Sequence, residues 1–173
     1  MEQLKMVWRK GETPDPPDWG DLTLRCFDGS EKDIDAWLEI VKDGLTDGKQ
    51  DAAFFRECMY SHGALEYDKF FIVEADGVPA ATLCVICDYE KKEGYIHMVA
   101  CREEFRGRGI GTRLNTVAVR TLISSGMETA YLTTDDFRIP AIKSYLRAGF
   151  YPAIPDADHE KRWNDIYDKI GIK

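Results

Sequence analysis

Phe105-Arg106-Gly107-Arg108-Gly109-Ile110-Gly111-Thr112 joins a stretch that reads as a strand to one that reads as a helix. Upstream, Gly94-Tyr95-Ile96-His97-Met98-Val99-Ala100-Cys101 carries β-branched and aromatic residues and no proline, which favours a strand. Downstream, Ile110, Leu114, Val117, Ala118, Thr121 and Leu122 recur at helical spacing, and Gly126 stands where a glycine ends a helix. A strand, an Arg/Gly turn and a helix start together make an anion site. The glycines let successive N–H groups converge, the first N–H groups of the helix lack intrahelical partners, and the helix dipole favours negative charge there.

What the turn lacks narrows the anion. A Walker A loop ends in Gly-Lys-Ser/Thr, and no lysine lies here. A dinucleotide fingerprint needs a third glycine, but counting from Gly107 that position is Thr112. Taken alone, the turn also fits a structural loop with solvated arginines. A second stretch, Tyr131 to Phe150, reads as strand, turn, a helix with Pro140 near its first turn, and a stop at Gly149.

The spacing Arg106-x-x-Gly109-x-Gly111 resembles the pyrophosphate loop of the GCN5-related N-acetyltransferases, which hold coenzyme A. Ala141-Ile142-x-x-Tyr145-x-x-x-Gly149-Phe150 resembles the second block of the same family, in the expected order and at the expected distance. The resemblance spans roughly residues 70 to 152. It implies an α+β (mixed α/β) fold with a central, mostly antiparallel sheet, helices on both faces and strands splayed around the cofactor. It further implies acetyl transfer from acetyl-CoA to a primary amine by direct attack, with a small-molecule amine as partner and no metal. A transferase with another acyl donor or acceptor, and a non-catalytic coenzyme A-binding module, carry the same motifs.

Site roles follow from the resemblance position by position. The main chain of Arg106, Gly107, Arg108, Gly109, Ile110, Gly111 and Thr112 is expected to hold the diphosphate. Val99-Ala100-Cys101 is the strand end facing the cofactor, with the Val99 N–H on the thioester carbonyl and Cys101 backbone groups on the pantetheine arm. Tyr145 stands where the family places the phenol that protonates the coenzyme A thiolate. Unperturbed pKa values of about 10 for tyrosine and about 8.5 for a thiol suit that transfer. The alternative reading makes Tyr145 an apolar anchor beside Ile142 and Leu146.

His97 is expected to share a face with Val99, two residues on. Family members acting on aryl-alkyl amines carry histidines at this level as base or proton relay, and an imidazole near pKa 6.5 suits the work. Other members place a glutamate near the level of Tyr95, and a lone strand histidine also serves structurally. One departure stands out: where the second block often has an asparagine, three residues before Ala141, this chain has Arg138.

Composition sets the wider bounds. The chain has 173 residues, 44% of them hydrophobic, enough for one soluble domain with a real core. Its apolar runs are too short for a membrane span and its charged start lacks a secretory h-region, so a cytoplasmic location is expected. A net charge of −8 argues against nucleic acid, although Arg102, Arg106, Arg108, Arg113 and Arg120 gather around the turn. Five scattered cysteines argue for reduced thiols. Cys84 and Cys87 sit three apart on a strand, hence on opposite faces.

The flanks complete the plan. Pro14, Pro16 and Pro17 make residues 1–20 an extended arm, which Trp8 and Trp19 suit for docking on the body or on a second copy in a homodimer. Residues 21–173 then form a single domain, with a first strand at Leu22–Phe27. Ser30 is expected to cap a helix with Asp33 as its capping-box partner, and a second helix runs from Ala52 to Tyr60. By the resemblance these two helices flank the acceptor site, making Tyr60 and His62 candidate contacts. Asp76-Gly77 marks a hairpin. The tail from Asp158 to Ile170 reads as a helix with Trp163, Ile166, Tyr167 and Ile170 inward, where the family commonly has a closing strand.

Overall fold

The computed structural model describes residues 2–46 and 48–172. The chain runs β1 (Leu4–Arg9), β2 (Leu22–Cys26), α1 (Glu31–Val41), α2 (Ala52–Tyr60), β3 (Phe70–Ala75), β4 (Val78–Asp88) and β5 (Glu93–Cys101). It continues with α3 (Ile110–Ser124), β6 (Thr129–Thr134), α4 (Ile139–Arg147), β7 (Tyr151–Pro152) and α5 (Ala157–Ile170). The strands form one sheet in the order β2-β3-β4-β5-β6-β1-β7. β5 and β6 are its parallel pair, and every other neighbouring pair is antiparallel.

Alternating strands give the sheet two apolar faces, and each is covered by helices. Trp37, Ile40, Phe55 and Met59 of α1 and α2 pack on one face with Phe70, Ile72 and Cys84. Leu114, Ala118 and Leu122 of α3, Ile142 of α4 and Trp163 and Ile166 of α5 pack on the other. Cys84 and Cys87 fall on opposite faces, as strand alternation requires. Among the described residues no helix is long and apolar enough to cross a membrane.

The N-terminus differs from the arm read in the sequence. Leu4–Arg9 is a strand, and it lies inside the sheet between β6 and β7. Leu4, Met6 and Trp8 alternate inward and are buried, a period-two signal that the downstream prolines obscured. Leu22–Cys26 is therefore the second strand. The prolines act only beyond Arg9, where Trp19 packs against the α3-side core and Arg120 donates to the Pro14 carbonyl.

Ser30 caps α1 by accepting from the Asp33 N–H at 3.2 Å. Asp33 does not close the capping box. Its carboxylate instead accepts from Arg25 Nη1 and Nη2 at 2.8 and 2.7 Å and from the Asp28 N–H at 2.9 Å. Asp33 is only 1% exposed, and there a bidentate arginine outcompetes a single backbone amide for its carboxylate.

The tail is helical. Asp156 caps α5 and Gly171 ends it. Trp163 is fully buried, with its indole N–H unpartnered among the described residues. Trp163→Ala is expected to cost about 3 kcal/mol, the low end for a buried tryptophan because an unsatisfied donor leaves with it. Thermal denaturation should then show the midpoint falling by roughly 6–12 °C.

Candidate active site

The two strands that run parallel part company at one end. β5 and β6 pair from Glu93 and Thr129 only as far as Tyr95 and Tyr131, yet β5 continues to Cys101 and β6 to Thr134. On its other edge β5 carries a bulge. Thr82 pairs with Ala100 and Cys84 with His97, so Leu83 alone faces both Met98 and Val99. Met98 takes the left-handed conformation at φ 53° to make room for the extra residue. The gap opens into a cavity of about 700 Å³ between the end of β5, α3, α4 and the loop at Asp43–Leu45.

The turn after β5 forms the cavity's far wall. Gly107 and Gly109 sit at φ 80° and 73°, a region closed to most side chains, and this reverses the chain into α3. Among the described residues the N–H groups from Gly107 to Thr112 find no acceptor in the protein; the first helical bond across the junction is Arg113 N–H to Gly109 carbonyl. Side chains of Ser30, Asp51 and Asp156 cap α1, α2 and α5. The helices bordering the cavity, α3 and α4, start without a side-chain cap. Unpaired amides at a helix start are donors awaiting an anion.

The arginines are occupied elsewhere. Arg106 donates to the Cys101 and Asp43 carbonyls and so ties the turn to β5 and to the loop after α1. Arg108 points away from the cavity to pair with Asp21 at 2.7 Å. Arg102 is held by the Pro79 carbonyl and Glu104, and Arg113 by the Arg108 carbonyl. A carbonyl partner leaves a guanidinium's charge intact. Arg106, Arg113 and Arg120 therefore still bias the field toward anions while the main chain supplies the contacts.

Tyr145 lines the cavity from α4 and is 7% exposed. Burial lifts its phenol to about 12, with Arg138 pulling down and Tyr95 close enough to push up. Burial likewise pushes the Cys101 thiol up, against the pull of Arg106 and Arg108, which disfavours its thiolate.

His97 lies outside the cavity. The bulge breaks strand alternation, so His97 and Val99 do not share a face. Val99 packs toward α3, whereas His97 reaches Cys58 of α2. The Cys58 carbonyl can only accept, so Nε2 of His97 carries the hydrogen across 3.3 Å, and Nδ1 then accepts from the Tyr95 hydroxyl at 3.2 Å. Burial, with His62 adding to it, drops the imidazole to about 4. The rings of His62 and Tyr95 and of His62 and His97 lie 5.0 Å apart, and Tyr131 stacks on Tyr95 at 4.7 Å. This cluster occupies the α2 side of the gap. Tyr60 is not part of it and pairs with Tyr67.

Of the residues singled out from sequence, Val99, Ala100, Cys101, Arg106, Gly107, Gly109, Ile110, Gly111, Thr112 and Tyr145 line this cavity; Arg108 and His97 do not. Sequence reasoning missed Asn115 and Ser144, which line it too. The signal for Asn115 was present: a polar residue on the apolar stripe of α3 next to Leu114. The Asp43–Leu45 loop carried no such signal.

Uncapped amides, a splayed parallel pair and a buried phenol around one cavity are the features of a fold that binds coenzyme A thioesters. Residues 34–150 match the acetyltransferase (GNAT) family, and the chain belongs to it. It is 31% identical over 153 residues to a mycothiol acetyltransferase of Streptomyces coelicolor, covering 87% of this chain and 49% of the relative. The chain thus spans about half the length of the curated relatives it matches. Among solved structures, a GCN5-related N-acetyltransferase from Sphaerobacter thermophilus superposes with a TM-score of 0.70 at 20% identity, over 87% of this chain and 48% of that one. A chain of the NatC complex bound to Gag peptide and CoA gives 0.65 at 17%, over 78% and 87%.

Proposed function

We propose that this chain, in the cytoplasm, moves an acetyl group from acetyl-CoA to a primary amine of a small molecule by direct attack in a ternary complex. The observation that carries the reading is the run of unpartnered amides from Gly107 to Thr112 opening on the cavity that ends at Tyr145. The diphosphate lies on those amides, and the Cys101 main chain holds the pantetheine arm. The Val99 N–H, at the bulge, points at the thioester carbonyl and steadies the oxyanion as it forms. The amine nitrogen bonds to the thioester carbon, the carbon–sulfur bond breaks, the Tyr145 phenol gives its proton to the departing sulfur, and the proton shed by the new amide nitrogen restores the phenol. An acyl-cysteine route is disfavoured, because burial raises the Cys101 thiol and so disfavours its thiolate.

The ammonium proton leaves on the other side of the gap. An imidazole at about 4 is too weak a base to keep it, so His97 acts as a relay through Tyr95 rather than as a store. His62, exposed and edge-on to both rings, marks the solvent side of the pair, where water takes the proton. The relatives' name, mycothiol acetyltransferase, makes amines of comparable size the first acceptors to try. The test is a panel of small amines with acetyl-CoA, followed by release of free thiol. Turnover of one or more amines is expected. Calorimetry in which the protein ignores acetyl-CoA into the millimolar range would overturn the reading.

A further inference from the structure

A polar pair sits in the cavity wall where helix packing alone would ask for apolar residues. Asn115 is 2% exposed, on the face of α3 that otherwise buries Ile110, Leu114 and Ala118. Its Nδ2 donates to Ser144 Oγ of α4 at 2.7 Å. Among the described residues its Oδ1 has no partner, and neither has the hydroxyl hydrogen of Ser144. A buried amide with one edge unpaired costs stability, so a leucine here would pack better. The little surface that Asn115 and Ser144 keep belongs to the cavity.

Their place along the cavity is specific. Asn115 is one helical turn beyond Gly111, and a Cβ on Gly111 would lie 3.8 Å from Ser144 Oγ. Tyr145 is the next residue after Ser144. The pair therefore stands between the amides assigned to the diphosphate and the phenol assigned to the thiolate. A ligand joining those two points passes it. Arg138 lines the cavity as well, but its Nε is committed to Asp135 at 2.8 Å and its guanidinium lies over the Phe137 ring.

Resting on the acetyl-CoA reading above, we propose that Asn115 and Ser144 form a binding subsite for a secondary amide of the pantetheine arm. Asn115 Oδ1 accepts from the amide N–H, and the Ser144 hydroxyl donates to the amide carbonyl while holding the Asn115 side chain in place. One acceptor beside one donor matches the two edges of such an amide.

Calorimetry with two ligands tests this. Coenzyme A carries the pantetheine arm, and adenosine 3′,5′-bisphosphate lacks it while keeping the nucleotide. Wild type is expected to bind both. Asn115→Ala, which adds no bulk, should weaken coenzyme A binding by about ten- to a hundredfold and leave the bisphosphate unchanged. Ser144→Ala, on a half-buried helix position with little risk to folding, should weaken coenzyme A alone by a smaller factor. Equal losses for both ligands, or no loss for either in the soluble variants, would overturn the subsite. A wild type that binds neither ligand would instead remove the acetyl-CoA reading, and the subsite with it.

Discussion

Tyr145→Phe lowers kcat by about a hundredfold or more and leaves the affinity for acetyl-CoA where it was, if the phenol is the acid that protonates the departing thiolate. The two results must come together. Phenylalanine keeps the ring, which is 7% exposed and edge-on to Phe150 at 6.3 Å, so packing and melting temperature should barely move. What goes is one proton donor. Burial has raised that donor from its ordinary value to about 12, so it is fully protonated throughout the working range. Against a thiol at about 8.5 that makes the phenol the weaker acid, so its proton passes to the sulfur only in concert with the return of a proton from the amine nitrogen. Because burial moves the phenol upward, deprotonation of Tyr145 is not expected to cause a loss of activity at mildly alkaline pH. Steady-state kinetics beside calorimetry decide the matter. A variant that keeps kcat would make Tyr145 only the apolar anchor that its helix position also allows.

How much of this was legible beforehand divides along a physical line. The turn from Arg106 to Thr112 could be read because its glycines are a local backbone requirement, written at the positions that need it. The tail helix could be read because Trp163 and Ile166 keep helical spacing without help from the rest of the chain. The roles of the arginines could not. Whether Arg106 meets a ligand or the Cys101 carbonyl depends on a loop sixty-odd residues away, and sequence spacing says nothing of it. The face of His97 was misjudged for a related reason. Alternation holds along a regular strand, and a single residue in the left-handed region at Met98 inverts everything on one side of it. β1 was overlooked because three prolines gave a stronger signal than three alternating apolar residues, although the prolines begin only after the strand ends.

The same distinction between backbone requirement and ligand requirement makes Gly111 the sharpest probe of the anion site. Gly111 is the second residue of α3, its φ is not in the left-handed region, and an added Cβ would meet only Ser144 Oγ at an ordinary 3.8 Å. The fold does not need a glycine there. Gly109, held at φ 73°, would confound the experiment with strain. Gly111→Asp puts a carboxylate in the first turn of a helix that has no side-chain cap, which the dipole favours by about 0.3–1 kcal/mol. Leaving glycine behind adds a few tenths more, so thermal stability should hold or rise by about 1 kcal/mol. Binding should move the other way. The new charge competes for the amides from Gly107 to Thr112 and repels a diphosphate a few ångströms off. At an effective dielectric near 20 that repulsion is about 3 kcal/mol, a loss of a hundredfold or more in affinity for acetyl-CoA. A more stable protein that no longer holds its ligand is a signature that misfolding cannot produce. A variant that binds acetyl-CoA as well as the wild type would mean that the diphosphate does not lie on these amides.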